Sequence, residues 1–258
     1  MSTSLATPLA TEPGFGVLVA ASGVAAFVVG FLRTSVGGGI GLLLTPTLSL
    51  VLPASAVLAL VAPLMTLCDP IALKLYWRQW DTSQLRTLLP TTLAGVAGGA
   101  FVLSRLSELW LARTIGLLAL TFGLLQLGLI LARHRRPVLH GRPAGAAAGL
   151  LTGVASVVAH SGGVVLGLYL VGAGLSQATI VATGAVLVTI SNVMKLVSYW
   201  GLGFLTKDIL SAALLSAPLL VAGAWLGYRV NSWLPRRMFE LALVAIAIAG
   251  ALRLLLRG

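Results

Sequence analysis

The stretch TSVGGGIG at residues 34–41 interrupts an apolar region that otherwise has the composition of a membrane helix. Each glycine costs a helix roughly 1 kcal/mol relative to alanine, so helix propensity collapses here between two apolar flanks. A helix broken at membrane depth leaves backbone N–H and C=O groups unpaired, which is tolerated only inside protein or beside a watery cavity. The helix that begins after Gly39 would point its free N–H groups at the break, where they and the Thr34 and Ser35 hydroxyls could bind an anion.

A second stretch of the same kind, VAHSGG at residues 158–163, lies about half a chain later between two more apolar flanks. Two broken helices in corresponding positions of two halves are the best sequence indication of a transporter's substrate site. The pair therefore predicts that a ligand binds between the two breaks.

The composition is that of a membrane protein: of 258 residues, 58% are hydrophobic and 9% are charged, and the mean hydropathy is +1.03. Several apolar runs reach the length of about 20 residues that a membrane span needs. We predict an all-α polytopic membrane protein with about 8–10 hydrophobic helical segments in two homologous halves, each with a Gly-rich broken helix.

The net charge is +11, from 17 basic and 6 acidic residues, and three interpretations of it are possible. On a soluble protein it would indicate nucleic acid, but here Lys and Arg more simply mark cytoplasmic loops that face anionic lipid. Part of it could provide a positive field for an anionic substrate. Cys68 is the one cysteine, so an intrachain disulfide and a Cys-based metal cluster are excluded, and no metal or cofactor is expected.

The chain divides into four parts by composition. Residues 1–13 are polar and lack Lys and Arg, which predicts a flexible tail, and residues 133–143 form the basic, cytoplasmic linker. The first transmembrane repeat covers residues 14–132 and the second covers residues 144–258. The predicted apolar segments are 14–32, 40–52, 54–77, 85–103 and 109–131 in the first repeat, and 144–159, 164–171, 176–200, 209–230 and 238–256 in the second.

Matches in the same order along both halves support the internal repeat. They pair Gly30 with Gly153, 38–39 with 162–163, 74–75 with 195–196, Asp81 with Asp208, and Gly95 and Gly99 with Gly223 and Gly227. If each broken segment crosses the membrane once, the repeats are parallel; if each makes a re-entrant hairpin or two crossings, they are inverted. The distribution of basic residues does not decide between the two topologies.

Three stretches, 30–32, 37–40 and 46–48, together resemble the opening signature of the TauE/SafE sulfite exporter family. The second half of the chain also resembles that family, after its Gly-rich break, at 182–184, Asn192, Lys195, Tyr199, Gly203 and Asp208. The resemblance implies a polytopic inner-membrane protein, in two related halves, that transports sulfite, organosulfonates or related small anions. Two departures bear on the substrate. Residues 59–63 are apolar where the family usually has a small polar Thr-Ser pair, and His160 stands where many members have small residues.

The candidate substrate-binding residues at the breaks are glycines and hydroxyls. The glycines would allow a ligand to approach the backbone, although small residues also serve tight helix packing. The hydroxyls could donate hydrogen bonds to oxyanion oxygens, or could instead cap the broken helix ends. The hydroxyl candidates are Thr34, Ser35 and Ser161, and the glycine candidates are Gly37, Gly38, Gly39, Gly162 and Gly163.

The charged and amide candidates are Arg33, Lys74, Asn192 and Lys195. Lys74 and Lys195 occupy corresponding positions and would neutralise the substrate's charge, or else snorkel to the interface. Asn192 lies on nearly the same helix face as Lys195 and could donate to the anion or hold a broken backbone. A charge at mid-membrane is expensive, so Arg33 either snorkels or lies in the path of the anion.

His160 and Asp69 are the candidates for coupling transport to protons. Histidine titrates near neutral pH, as does sulfite, so His160 could link proton and substrate movement, or be a hydrogen-bonded structural residue. Acids within membrane segments are functional candidates by default, and Asp69 could pair with Lys74 or Arg33.

The sequence contains no metal-ligand cluster, phosphate-binding loop or nucleophile-His-acid set, so we do not expect an enzyme. We predict a secondary transporter, and an exporter, of sulfite or a related small sulfur oxyanion or organosulfonate across the bacterial inner membrane. The alternatives are an anion channel of the same architecture and a non-transporting membrane scaffold. The expected partners are the anion and membrane lipid, not nucleic acid, and a homodimer could form through the glycine faces if these do not serve internal packing.

Overall fold

The computed structural model describes residues 14–35, 40–131, 141–230 and 236–256. Across those residues the chain forms eleven helices and no strands. These are α1 (Phe15–Ser35), α2 (Ile40–Leu48), α3 (Ala54–Leu75), α4 (Thr82–Leu103), α5 (Glu108–Leu131), α6 (Arg142–Ala159), α7 (Gly162–Gly172), α8 (Gln177–Gly201), α9 (Lys207–Leu215), α10 (Ala217–Val230) and α11 (Arg236–Leu256). The predicted all-α architecture is confirmed, including two short helices, α2 and α7, that follow the two breaks.

Six helices in the described ranges are long and apolar enough to cross a membrane: α1, α4, α5, α6, α8 and residues 238–256 of α11. The pair α9 and α10 raises this number to seven if it forms one bent span. Large apolar side chains on the outer faces of these helices, such as Phe101, Leu117 and Val221, are more than half exposed. Such faces require a hydrocarbon surrounding rather than water.

The predicted segment 209–230 is two helices rather than one, because α9 and α10 meet at an angle of 44°. Pro218 lies in the first turn of α10. Proline has no N–H, so it leaves the carbonyl of Leu214 without its helical partner and bends the chain there. Helix α9 is capped by Thr206, whose hydroxyl accepts the Ile209 N–H, and Asp208 lies in the first turn.

Helix α3 runs through the centre of the protein. Its residues 57–62 are completely buried, and they contribute to two large clusters of apolar side chains, one on each side of the helix. A helix that is apolar all round is typical of a protein interior or of a membrane span, and here α3 is enclosed by other helices. Residues 59–63 thus pack in the core rather than line a polar site.

The helices of the two predicted halves exchange partners. Helix α1 packs along α10, α6 packs along α4, α5 packs on α11, and α3 packs on α8. These pairings fit an internal repeat in which α1 to α5 correspond in order to α6 to α11, with α9 and α10 together matching α4. The pair α1–α10 then corresponds to the pair α6–α4. The pairs α5–α11 and α3–α8 each join two helices that correspond to each other. The division into residues 14–132 and 144–258 stays a prediction, and residues 1–13 and most of 133–143 lie outside the described residues.

Glycines make both exchanged helix pairs possible. A Cβ added at Gly30 would overlap the Leu220 carbonyl of α10, and one at Gly223 would overlap the Phe27 carbonyl of α1. In the other pair, a Cβ at Gly95 would overlap the Leu150 carbonyl, and one at Gly153 would overlap the Thr92 carbonyl. The glycine faces at 95–99 and 223–227, for which dimerisation was an alternative, thus serve internal packing.

Candidate functional site

The second break is formed by an unusual backbone conformation at His160, which ends α6. His160 adopts a left-handed conformation with φ of 53°, which non-glycine residues rarely adopt, although histidine does so more often than most. Its N–H still bonds the Ser156 carbonyl at 3.1 Å, and the chain restarts as α7 at Gly162. The left-handed residue turns the imidazole ring into the protein, where it is 7% exposed.

The two breaks meet in space. Gly41, in the first turn of α2, lies against His160 so closely that an added Cβ would overlap the His160 carbonyl. The sequence placed both breaks between apolar flanks, and the tertiary structure brings the end of one against the beginning of the other. Gly41 was part of the quoted stretch but was not among the predicted site residues.

Helix α8 presents polar side chains towards the breaks at intervals of three and four residues. Asn192, Lys195 and Tyr199 are all buried and lie on one face of the helix. The Tyr199 hydroxyl donates to the Val157 carbonyl at 2.5 Å, near the end of α6, where helical carbonyls lack partners within the helix. The Tyr199 ring also contacts the His160 ring edge-to-face, with centroids 6.1 Å apart.

One cluster, which we call the charged centre, consists of five of the predicted residues: Arg33, Asp69, His160, Asn192 and Lys195. A guanidinium nitrogen of Arg33 lies 2.7 Å from Oδ1 of Asp69, so the acid pairs with Arg33 and not with Lys74. The amide nitrogen of Asn192 donates to Oδ2 of Asp69 at 2.7 Å. Arg33 from α1, Asp69 from α3 and Asn192 from α8 are thereby joined into one network.

The other part of the charged centre links Lys195 to His160. Nζ of Lys195 lies 3.1 Å from Nδ1 of His160, and Nε2 of His160 lies 3.1 Å from the Leu58 carbonyl oxygen. The carbonyl can only accept, so Nε2 carries the proton and Nδ1 accepts from the lysine. Lys195 and Asn192 lie about one helical turn apart on α8, which connects the two parts.

The predicted hydroxyl ligands bond backbone carbonyls instead of facing a shared space. Thr34 and Ser35 lie inside α1, which continues further than predicted, and their hydroxyls donate to carbonyls of the same helix, at 3.1 Å to Gly30 and 2.7 Å to Phe31. Thr34 also donates to the Ala224 carbonyl of α10 at 2.9 Å. The Ser161 hydroxyl is buried and donates to the Ala155 carbonyl at 3.3 Å.

The predicted glycine ligands of the first break cannot be placed. Gly37, Gly38 and Gly39 all lie outside the described residues, between the end of α1 at Ser35 and the start of α2 at Ile40. Their role in binding an anion therefore stays a prediction.

The two glycines of the second break differ in the space around them, and Lys74 lies outside the site. Gly162 is packed tightly against α6, whereas a Cβ at Gly163 would meet none of the described atoms within 4 Å. Lys74 is exposed in the last turn of α3 and does not belong to the charged centre. The binding roles of these three residues and of the hydroxyls also stay predictions.

Two participants were not among the predicted site residues, although Tyr199 is one of the residues that resemble the second half of the family. The Leu58 carbonyl is a backbone group in an apolar helix, and no side-chain pattern indicates it. Tyr199 lies four residues after Lys195 on an otherwise apolar segment, so the shared helix face could have indicated it.

Long apolar helices that enclose a charged centre beside two helix breaks define a polytopic membrane protein of the transporter class. The chain matches the family described as "Sulfite exporter TauE/SafE" over residues 22–254, and it belongs to that family. A search of curated proteins and a search of solved structures each gave no match. This match confirms the predicted family. Members of the family are transporters and not enzymes, as expected for this chain. The family and the six long apolar helices also confirm the multi-pass membrane location. The family also implies a sulfite-like anion as substrate.

Proposed function

We propose that this chain is a secondary transporter that exports sulfite, or a related small sulfur oxyanion or organosulfonate, across the bacterial inner membrane by alternating access. The observation that carries the proposal is the buried Lys195, which bonds a neutral imidazole instead of a carboxylate. The anion would bind at Lys195, beside the paired breaks.

The electrostatic cost of Lys195 supports an anionic ligand. The residue is 1% exposed, and a buried ammonium is expensive unless it is paired. Asp69 is already committed to Arg33 and Asn192 through both of its oxygens. An anion that contacts Lys195 would supply the missing negative charge and accept the ammonium hydrogens that His160 does not use.

Further groups would complete the site. Asn192 and His160 would lie at the edge of the site. Arg33, which is paired with Asp69, would set the local charge. His160 and Asp69, together with Arg33, would provide the groups for proton coupling. Thr34, Ser35, Ser161 and Lys74 would contribute only if their surroundings change during transport. The proposal assigns backbone contacts with the ligand to Gly37, Gly38, Gly39, Gly162 and Gly163.

The burial of the centre favours a carrier over a channel. Asp69, Asn192 and Lys195 have 0 to 1% of their surface exposed, whereas the groups lining a continuously open pore would be wet. In the proposed cycle, one helix bundle rocks against the other around the breaks and exposes the centre to each side in turn. An inside-negative potential would assist export, at about 2.3 kcal/mol per charge per 100 mV.

The test is sulfite flux in proteoliposomes that contain the purified protein, its K195M variant and, as a matched control, K207M. The control makes the same substitution at Lys207, an exposed lysine of α9 that is not a candidate site residue. We expect K195M to lower the apparent affinity for sulfite by about ten- to a hundredfold, the worth of a charge-assisted hydrogen bond, and K207M to behave like the wild type.

Other results of the flux experiment would favour one of the alternatives or contradict part of the proposal. Flux without counterflow would indicate the channel. Equal loss of flux in K195M and K207M would contradict the location of the site. Absence of flux for sulfite and organosulfonates in the wild type would contradict the proposed function and favour the scaffold.

A further inference from the structure

We propose that the charged centre selects monoanions over dianions, so that the transported species is hydrogen sulfite or an organosulfonate and not the fully deprotonated sulfite or sulfate dianion. This inference rests on the proposed function, because it concerns the substrate of the same site. It follows from the number of charges in the centre, the hydrogen bonds of His160 and one acceptor without a partner.

The first argument is the charge balance. Among the residues that the structure describes, Asp69 and Lys195 are the charged side chains that are buried, and Arg33 reaches Asp69 with its side chain 20% exposed. Arg33 and Asp69 cancel, so the centre carries a net charge of about +1 from Lys195. One monoanion neutralises it, whereas a dianion would leave an excess negative charge in a low-dielectric interior.

The second argument is that His160 cannot add a positive charge in this arrangement. Its Nε2 donates to the Leu58 carbonyl, and its Nδ1 faces Nζ of Lys195 at 3.1 Å. A second proton on the ring would direct an N–H at an ammonium, which also has only hydrogens to offer. The Lys195–His160 pair therefore holds one positive charge and not two.

The third argument is an acceptor without a donor. Oδ1 of Asn192 is buried and has no hydrogen-bond partner within the described part of the chain. The amide nitrogen of the same side chain donates to Asp69. Asn192 and Lys195 are one helical turn apart on α8, so a small ligand can reach both. Hydrogen sulfite can accept from Lys195 and donate its own proton to Oδ1, and an organosulfonate, which has no such proton, can turn its uncharged organic group towards Oδ1. A sulfite or sulfate dianion brings only oxygens, and these repel this acceptor.

The experiment compares methanesulfonate with sulfate, two tetrahedral anions that differ mainly by one charge. Labelled forms of both are followed in proteoliposomes with the membrane potential clamped at zero, so that the potential itself does not favour either. We expect the wild type to prefer methanesulfonate by more than about tenfold, since one excess charge near the centre costs more than the roughly 1.4 kcal/mol that this ratio represents.

Charge variants provide the internal control. D69N raises the net charge of the centre by one and should shift the preference towards sulfate by about tenfold or more. The double variant R33Q/D69N restores the original net charge and should restore the preference for methanesulfonate. If D69N does not fold, the wild type and the double variant still test the inference.

The outcomes separate the two proposals. Equal flux of both anions, or a preference for sulfate in the wild type, would overturn the inference and leave the transporter function intact. A folded D69N with an unchanged preference would also overturn it. Absence of flux for both probes and for sulfite would contradict the proposed function itself.

Discussion

Gly41 lies directly against the backbone of His160, and this contact joins the two helix breaks. No side chain separates α2 from the end of α6 at this point, because an added Cβ would overlap the His160 carbonyl and lie 2.5 Å from its Cβ. The backbone of His160 can therefore lie at this position only because Gly41 has no side chain.

The first prediction concerns this contact. G41A should destabilise the protein by about 1–3 kcal/mol, the usual cost of overpacking, and should lower sulfite flux because the breaks are forced apart. The measurement is denaturant unfolding in micelles together with flux. G167A is the control, because a Cβ at Gly167 meets none of the described atoms within 4 Å. Equal stability of both variants would contradict the close approach.

The second prediction separates the His160 ring from its backbone. Glycine adopts the left-handed conformation without strain, so H160G should fold with the break preserved. It removes the acceptor of Lys195 and the donor to Leu58, and we expect at least about a tenfold loss of flux. Circular dichroism and size-exclusion profiles report folding. Wild-type flux in a folded H160G would show that the ring has no part in transport.

The third prediction concerns the unequal exposure of Arg33 and Asp69. R33M leaves a carboxylate with 0% exposure without its cation, which should cost about 3–5 kcal/mol of unfolding free energy. D69N leaves a guanidinium that is 20% exposed and can be partly hydrated, so its cost should be smaller. Denaturant unfolding of both variants in micelles measures the difference. A larger loss in D69N would reverse this interpretation.

The fourth prediction uses two glycines of α4. G95A should destabilise the protein by about 1–3 kcal/mol, because its methyl group would overlap the Leu150 carbonyl of α6. G98A adds the same group where none of the described atoms lies within 4 Å, so helix propensity should make it neutral or slightly stabilising. Thermal unfolding in micelles compares the two. Equal effects would argue against the α4–α6 interface.

The fifth prediction concerns Tyr199. Y199F removes the hydroxyl that satisfies the Val157 carbonyl at the end of α6 and keeps the ring that packs on His160. The loss should be about 1–3 kcal/mol, the cost of an unsatisfied buried acceptor. Hydrogen exchange at the end of α6 should increase, whereas exchange in α4 should not. An unchanged exchange rate would show that another group satisfies the carbonyl.

Much of the fold could be predicted because membrane helices are recognised from local composition. The apolar runs indicated the helices, and the Gly-rich stretches indicated the breaks, because backbone groups in lipid must be satisfied within each segment. The bend between α9 and α10 was missed. Pro90 lies inside the continuous α4 and Pro218 lies at a bend, so a proline alone does not determine whether a helix changes direction.

The charged centre could be predicted only as a set of candidates. The sequence by itself determined that Asp69, Asn192 and Lys195 lie in apolar segments, where ionisable and polar groups are costly, and that Arg33 and His160 lie at the two breaks beside such segments. Only the tertiary structure decided that Asp69 pairs with Arg33, that Lys195 is buried while Lys74 is exposed, and that Lys195 bonds His160. The physical reason is that segment composition is a local property, whereas the partner of a buried charge depends on which helices, distant in sequence, pack against each other.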